Sequence, residues 1–243
     1  SAASGFAPIP TAIVGGDDEL FVYASDGAVY RSEDGENWDR SDASAQGSAF
    51  IKFGDEYVAI GESPSGETVV SHSYTSPDGI TWMQAPESEF PIGHHPWSPL
   101  VEFDGALYVG GMTFSVEEDG VGAVWRSEDG RTWNRVDLDV RAPFGPSDDE
   151  SVPAMYEVGD LIVTPYGMLV IGNAPGEAGN HQDIVVLATE EGITYEPVPD
   201  PDGLFIDAAH TSGVFFEGEV VTVGHALYSE ESGAQSYKWV WTP

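Results

Sequence analysis

The chain has 243 residues, and 42 acidic against 8 basic side chains give it a formal net charge of −34. A surface of that sign repels nucleic acid and anionic membranes, so neither is an expected partner. No apolar run approaches the ~20 residues of a membrane-crossing helix, and the absence of cysteine removes disulfide frameworks and thiol chemistry.

In chain order, short strand patterns alternate with turn signals, and no stretch carries a long helical period. Segment 5–10, Gly-Phe-Ala-Pro-Ile-Pro, reads as a short extended strand. The first repeat unit spans 11–40 and ends in Ser32-Glu-Asp34-Gly35-Glu-Asn37-Trp38. The second, 48–84, opens on a strand pair at 50–61 and ends in Ser76-Pro-Asp78-Gly79-Ile-Thr81-Trp82. The third, 98–136, opens on a matching pair at 100–111 and ends in Ser127-Glu-Asp129-Gly130-Arg-Thr132-Trp133. The fourth, 160–198, opens at 161–172 and ends in the weaker copy Thr189-Glu-Glu191-Gly192-Ile-Thr194-Tyr195. The fifth, 210–242, opens at 213–224 and lacks both the closing motif and an obvious outer strand.

The closing motif, Ser/Thr-x-Asp-Gly-x-Thr/Asn-Trp, is a turn with its own chemistry. Gly supplies positive φ, Asp bonds its own backbone, and Ser or Thr bonds across the turn. The Trp then starts the next strand as an aromatic anchor. In the fourth copy the longer Glu191 cannot make the same tight bonds and Tyr195 replaces Trp, so that turn is expected to be looser. The motif advances by 44 (34 to 78), 51 (78 to 129) and 62 (129 to 191) residues. A four-stranded propeller blade takes ~40–50 residues, so the later intervals carry loop insertions.

The motif resembles the Asp-box of sialidase-like (BNR-repeat) β-propellers. The resemblance implies an all-β fold in one domain over 1–243. The repeat units counted along the chain make this a five-bladed β-propeller of four-stranded antiparallel blades, with segment 5–10 completing the last blade and closing the ring. A fragment of a six- or seven-bladed ring is the alternative. In that family the boxes lie away from the active site and the ligand face is opposite, so Ser32, Asp34, Gly35, Trp38 and their counterparts are structural.

Loop lengths point to that opposite face. Stretches 84–97, 136–159, 173–183, 196–209 and 226–235 are long, and long loops gathered on a rigid scaffold are where function tends to sit. His94, His95, His181, His210 and His225 map there. The candidate ligand-binding residues are His94, His95, Trp97, Arg141, Tyr156 and His210, with Trp97, Phe144 and Tyr156 offering aromatic surface for sugar rings. The acidic triplet Asp148, Asp149 and Glu150 supplies hard oxygen donors that suit calcium; no cofactor is required by the pattern. A metal site from His94, His95 and His210 is disfavoured, because adjacent His side chains point apart on an extended chain.

The resemblance to sialidases implies three arginines around a substrate carboxylate. Arg31, Arg40, Arg126, Arg131 and Arg135 all belong to box regions, leaving Arg141 alone, so sialidase activity is not expected. The function expected is a non-catalytic binding or scaffold propeller, secreted or on the cell surface, recognising a glycan or a protein through its long-loop face. The alternative is a glycoside hydrolase using a carboxylate pair near the channel, drawn from Glu102, Glu157, Asp160 and Asp207. The acidity fits a salt-adapted surface, cation binding or a cationic partner. An extracellular or cell-envelope location is expected: no signal peptide is visible, and Ser1-Ala-Ala-Ser-Gly5 fits the start of a processed chain or a cut boundary.

Overall fold

The computed structural model describes residues 9–16, 18–45, 47–65, 68–91, 93–114, 120–136, 138, 155–175, 182–199, 208–226 and 235–241. Among these residues all regular structure is β, in twenty strands that form five antiparallel sheets.

Sheet one holds β1 (Pro10–Gly15), β2 (Leu20–Ala24), β3 (Ala28–Ser32) and β4 (Asp39–Ser44) in that spatial order. Sheet two repeats it with β5 (Ala49–Phe53), β6 (Glu56–Ser65), β7 (Thr68–Ser76) and β8 (Met83–Glu89). Sheet three has β9 (His94–Pro96), β10 (Val101–Phe103), β11 (Ala106–Thr113), β12 (Val121–Ser127) and β13 (Asn134–Val136). Sheet four has β14 (Glu157–Thr164), β15 (Gly167–Pro175), β16 (Gln182–Thr189) and β17 (Glu196–Pro197). Sheet five has three strands, β18 (Ala208–Phe216), β19 (Glu219–Ala226) and β20 (Gln235–Trp241). Residues 5–8, expected to complete it, lie outside the described residues. Ile9 and Pro10 belong to sheet one instead: Ile9 O accepts from Ser25 N at 2.8 Å, and Pro10 pairs with Ala24.

The chain divides into two compact units, Ser1–Ile92 with Asp129–Thr132, and Gly93–Glu128 with Trp133–Pro243. In the first, alternating residues of sheets one and two bury Phe21, Tyr23, Phe50, Tyr57 and Tyr74 in one core, with Tyr23 stacked on Phe50 at 3.9 Å. In the second, Tyr108, Val124, Met155, Val158, Val170 and Leu187 form one core. Ile162, Leu169, Ile171, Ile184, Val186 and Val220 form another. Each such buried side chain contributes roughly 1.5–3 kcal/mol, and the period-2 alternation aims them.

The four boxes form the turns that the sequence predicts. Asp34 Oδ1 accepts from Glu36 N at 2.8 Å and Asn37 N at 2.7 Å, and Ser32 Oγ accepts from Gly35 N at 2.8 Å. Asp78 Oδ1 accepts from Ile80 N at 2.9 Å and Thr81 N at 2.6 Å, and Asp129 Oδ1 from Arg131 N at 2.8 Å and Thr132 N at 2.7 Å. Among the described residues, Glu191 accepts only a 3.4 Å bond from Thr194 Oγ1, since its extra methylene carries the carboxylate past the turn amides. Tyr195 keeps the anchor's polar contact: its hydroxyl donates to Gly192 O at 3.1 Å, as Trp38 and Trp82 Nε1 donate to Gly35 and Gly79 O at 3.2 Å. Strands β4, β8 and β13 start one residue after Trp38, Trp82 and Trp133, and these anchors are half-buried.

The box glycines also seat on another sheet. A Cβ on Gly79 would stand 3.0 Å from the Phe21 ring, and one on Gly130 would stand 2.6 Å from Val58 Cγ2. One on Gly192 would overlap the Tyr108 hydroxyl. Phe21, Val58 and Tyr108 hold the same place on the second strand of their sheets, one residue past the partner of the box Ser (Leu20↔Ser32, Tyr57↔Ser76, Leu107↔Ser127). Gly35 differs: it is exposed, and its nearest neighbour is Leu20 of its own sheet at 3.6 Å.

The first strands of four sheets, all but sheet two, share a second device. Register shifts fall between Pro10 and Ala12, Val158 and Asp160, and His210 and Ser212, opposite Tyr23, Ile171 and Val223. In sheet three the same offset breaks the strand between β9 and β10, where Trp97 N and Ser98 N both donate to Gly110 O, at 2.9 and 3.1 Å. A bulge bends its strand and re-aims the side chains beside it. The residues ahead of these bulges form the loop end of each sheet, opposite the box end.

Candidate functional site

In sheet three the loop end is built by β9, which pairs with β11 through Thr113↔His94, Met112↔His95 and Gly111↔Pro96. His94 and His95 are therefore strand residues, against the expectation of a connecting loop. They sit on β11 because Gly111 has no side chain: a Cβ there would overlap His95 O. His94 turns inward, where Trp125 Nε1 donates to its Nδ1 at 3.2 Å. Indole N–H can only donate, so this imidazole is neutral with its proton on Nε2. Burial, with help from Arg135 and His95, lowers its pKa.

His95 turns the other way and meets the Phe114 ring edge-on at 5.6 Å. Phe114 is 49% exposed, and Trp97, at the strand break, is 36% exposed. Gly120 lies between Phe114 and sheet four. Its Cβ would stand 3.5 Å from the Phe114 ring and 3.9 Å from Tyr156 O. The structure thus brings His95 and Tyr156 into one neighbourhood with Phe114 between them.

Sheet four meets this neighbourhood at the start of β14. Tyr156 N donates to Asn173 O at 2.9 Å, and Gly122 N donates to Met155 O at 2.9 Å. Burial, with a smaller contribution from Glu157, pushes the Tyr156 phenol up to about 12, so it is a protonated donor at neutral pH. Its oxygen is buried and has no hydrogen-bond partner among the described residues. Next to it, Glu157 pairs with Asn173 across the sheet, and Asn173 Nδ2 donates to Glu157 Oε1 at 2.7 Å. Asn173 is 5% exposed, and its Oδ1 also lacks a partner among the described residues. Buried polar atoms are nearly always bonded, so two orphans at one end of one sheet mark a place that a donor or acceptor from elsewhere completes.

Asn173 was not singled out by sequence reasoning. A signal existed: it directly follows the glycine that ends the strand-pair repeat, as Glu62 follows Gly61 and His225 follows Gly224. Of the carboxylates proposed for a channel, Asp160 is sealed into the structure. Its Oδ1 accepts from Leu161 N at 2.9 Å and its Oδ2 from Gly213 N at 2.8 Å, which ties β14 to β18. Glu102 is exposed on β10.

Arg141, Phe144, Asp148, Asp149, Glu150, His181 and Asp207 lie outside the described residues. His210 is placed on β18 and His225 on β19 by backbone alone. Among the described residues, no group of three His, Cys, Asp or Glu side chains gathers as metal ligands. The sixth histidine, His72, has both ring nitrogens bonded, by Ser63 at 2.8 Å and Gln84 at 3.0 Å.

Two open cavities lie at the box end. One of about 480 Å³ is walled by Asp18, Glu19, Arg31, Glu33, Lys52, Asp55, Tyr57, Pro77 and Asp78. Another of about 520 Å³ lies over the fourth box, with Tyr166, Met168, Glu190, Glu191 and Glu196 in its wall. In the first, the polar wall is partly engaged locally: Arg31 pairs with Glu19 and with Glu33, and Asp78 is bonded to Ile80 and Thr81. These cavities are spaces between turns; Tyr156 Oη and Asn173 Oδ1, two buried atoms without a hydrogen-bond partner among the described residues, are at the loop end.

The chain belongs to the DUF6242 beta propeller domain family, whose model matches residues 3–202. No curated protein matches it. Among solved structures, YjhT is similar over 97% of this chain and 82% of its own, at 10% identity and a TM-score of 0.58. A thermostable family-43 glycoside hydrolase is similar over 97% and 93%, at 10% identity and a TM-score of 0.52. A GH32 beta-fructofuranosidase from Bombyx mori, in complex with sucrose, gives 15% identity and a TM-score of 0.47 over 96% of this chain and 59% of its own. The chain spans 55% of a xylan beta-1,4-xylosidase from Bacillus halodurans. At these identities the likeness is one of fold.

Proposed function

We propose that this propeller domain is a non-catalytic carbohydrate-binding module of a secreted or cell-envelope protein, taking its ligand at the loop end of sheets three and four. The single observation that carries the reading is the coincidence there of exposed aromatic faces, Trp97 and Phe114, with buried polar atoms that lack partners, Tyr156 Oη and Asn173 Oδ1. Aromatic faces stack on sugar rings, and fixed donors and acceptors orient hydroxyls. Of the carboxylates weighed as partners of Glu157 in a hydrolytic pair, Asp160 is already committed to backbone amides, Glu102 is exposed on β10, and Asp207 lies outside the described residues.

The boxes are taken as Asp-boxes and the sheets as blades of a five-bladed propeller. What supports this is the repeated strand order and the repeated seat of Gly79, Gly130 and Gly192. The acidic surface is read as salt adaptation, and calcium at Asp148, Asp149 and Glu150 as an accessory.

The test is a glycan array on the intact chain at high salt, with and without calcium. Saturable binding to a sugar class, lost in Trp97→Ala and kept in Asp78→Ala, is the expected result. Binding lost only in the box variant contradicts the assignment of the face. Release of products from the bound sugar would favour the hydrolase instead.

A further inference from the structure

We propose that Asn173, held by Glu157, is a reader of a ligand hydroxyl, that no carboxylate or sulfate is accepted at that position, and that this exclusion together with the acidic surface selects a neutral glycan. This rests on the sugar-binding reading above and narrows it.

The orientation of the Asn173 amide follows from its partner. Glu157 Oε1 is an acceptor and receives Asn173 Nδ2 at 2.7 Å. The opposite orientation would set an amide oxygen against a carboxylate, which is repulsive. Oδ1 is therefore fixed as an acceptor pointing away from Glu157, and it is buried with no donor among the described residues. A buried amide oxygen without a donor costs about 1–3 kcal/mol, and a group that brings a donor recovers it. Hydroxyl hydrogen fits. Carboxylate and sulfate oxygens are acceptors only and would meet Asn173 Oδ1 and Glu157 head-on.

The register supports a built site. Glu157 and Asn173 are direct partners, and the bulge between Val158 and Asp160 follows at once, so the pair stands at the rim of a strand whose lower part is locked by Asp160. A site made of hydrogen-bonding groups discriminates strongly against ligands that leave those groups unpaired. Net charge of −34 disfavours anions on its own, but that effect is screened by salt, whereas contact with a fixed acceptor is not.

The experiment is an array carrying neutral gluco-, xylo-, fructo- and galacto-oligosaccharides beside uronate-, sulfate- and sialic-acid-bearing ones. It is read at low and high salt with wild type, Asn173→Leu, Glu157→Gln and Trp97→Ala, and melting curves check the fold of each. The expected result is neutral-only binding at both salts. Asn173→Leu should weaken it at least about tenfold, and Glu157→Gln, which still accepts from the amide, at most about threefold. Neutral binding lost in Trp97→Ala but unchanged in Asn173→Leu leaves the sugar reading standing and overturns the hydroxyl reader. A preference for anionic sugars at high salt overturns it in wild type alone, even if Asn173→Leu does not fold. No sugar bound by wild type overturns both.

Discussion

The two ends of the sheets treat polar atoms in opposite ways. At the box end, carboxylates and hydroxyls such as those of Asp34, Asp78 and Ser32 are consumed by amides two or three residues away, so each turn is complete in itself. At the loop end of sheet four, Tyr156 Oη and Asn173 Oδ1 are buried and lack partners among the described residues. Local bonds complete each box turn by itself, and the two orphan atoms of sheet four are the ones proposed above to meet a ligand.

The largest effect should come from the seated box glycines. Gly130→Ala combines a positive φ with a Cβ 2.6 Å from Val58, and a loss of about 3 kcal/mol is expected from strain and overpacking together. Gly35→Ala meets nothing nearer than 3.6 Å and should lose only the backbone share, about 1 kcal/mol. Thermal melting of the two variants side by side gives the difference. Equal losses would remove the seat from the account.

Removing a polar group should then act in opposite directions at the two ends. Asp78→Ala strands the amides of Ile80 and Thr81 and should cost about 1–2 kcal/mol. Tyr156→Phe removes a buried hydroxyl without a partner and should raise stability by up to about 1 kcal/mol, while weakening sugar binding. Denaturant titration measures both, and a clear loss of stability in Tyr156→Phe would mean that the hydroxyl is already satisfied. A smaller gain, about 0.5 kcal/mol, is expected from Glu191→Asp, which restores the carboxylate to the reach of the turn amides.

The smallest effects are in pH. The Asn37 backbone amide first, then its side chain and the Glu36 amide, hold Asp34 well below the usual carboxylate range. Asp78 is also lowered: burial pushes it up, and the bonds from Thr81, Ile80 and Ser76 together outweigh that. A carboxyl depressed in the fold stabilises it above the unfolded value, about 3.9, and loses this as pH falls through the folded value. Melting temperature should therefore fall below about pH 4, less steeply in Asp34→Ala and Asp78→Ala. His94 is depressed by burial, then by Arg135 and His95, so its contribution is present above about pH 6.5 and declines as pH falls below it. His94→Asn should flatten melting between pH 7 and 5.

Much of the box end was legible in sequence, because its bonds are local. Ser32 to Trp38 spans seven residues, and its turn follows from Asp, Gly and Ser chemistry alone. The seat of the box glycines was not legible, since Gly79 and Phe21 are joined only by packing. The loop end was legible in part. His95 and Tyr156 were named from loop lengths, and the structure sets them on either side of Phe114 and Gly120. Asn173 escaped notice because an asparagine near a strand end is common, and its significance lies in a bond to Glu157 sixteen residues away. The break at Trp97 escaped because a bulge leaves no mark in the alternation pattern until the partner strand is known.

The central claim is that ligand meets the loop end of sheets three and four. The most direct test is amide hydrogen exchange on the intact chain, with and without a saturating neutral oligosaccharide identified by the array. The account predicts slower exchange at His94–Pro96, at the start of β14 and at the end of β15, with the boxes unchanged. Protection confined to the boxes, at Asp34, Asp78 or Asp129, would contradict it.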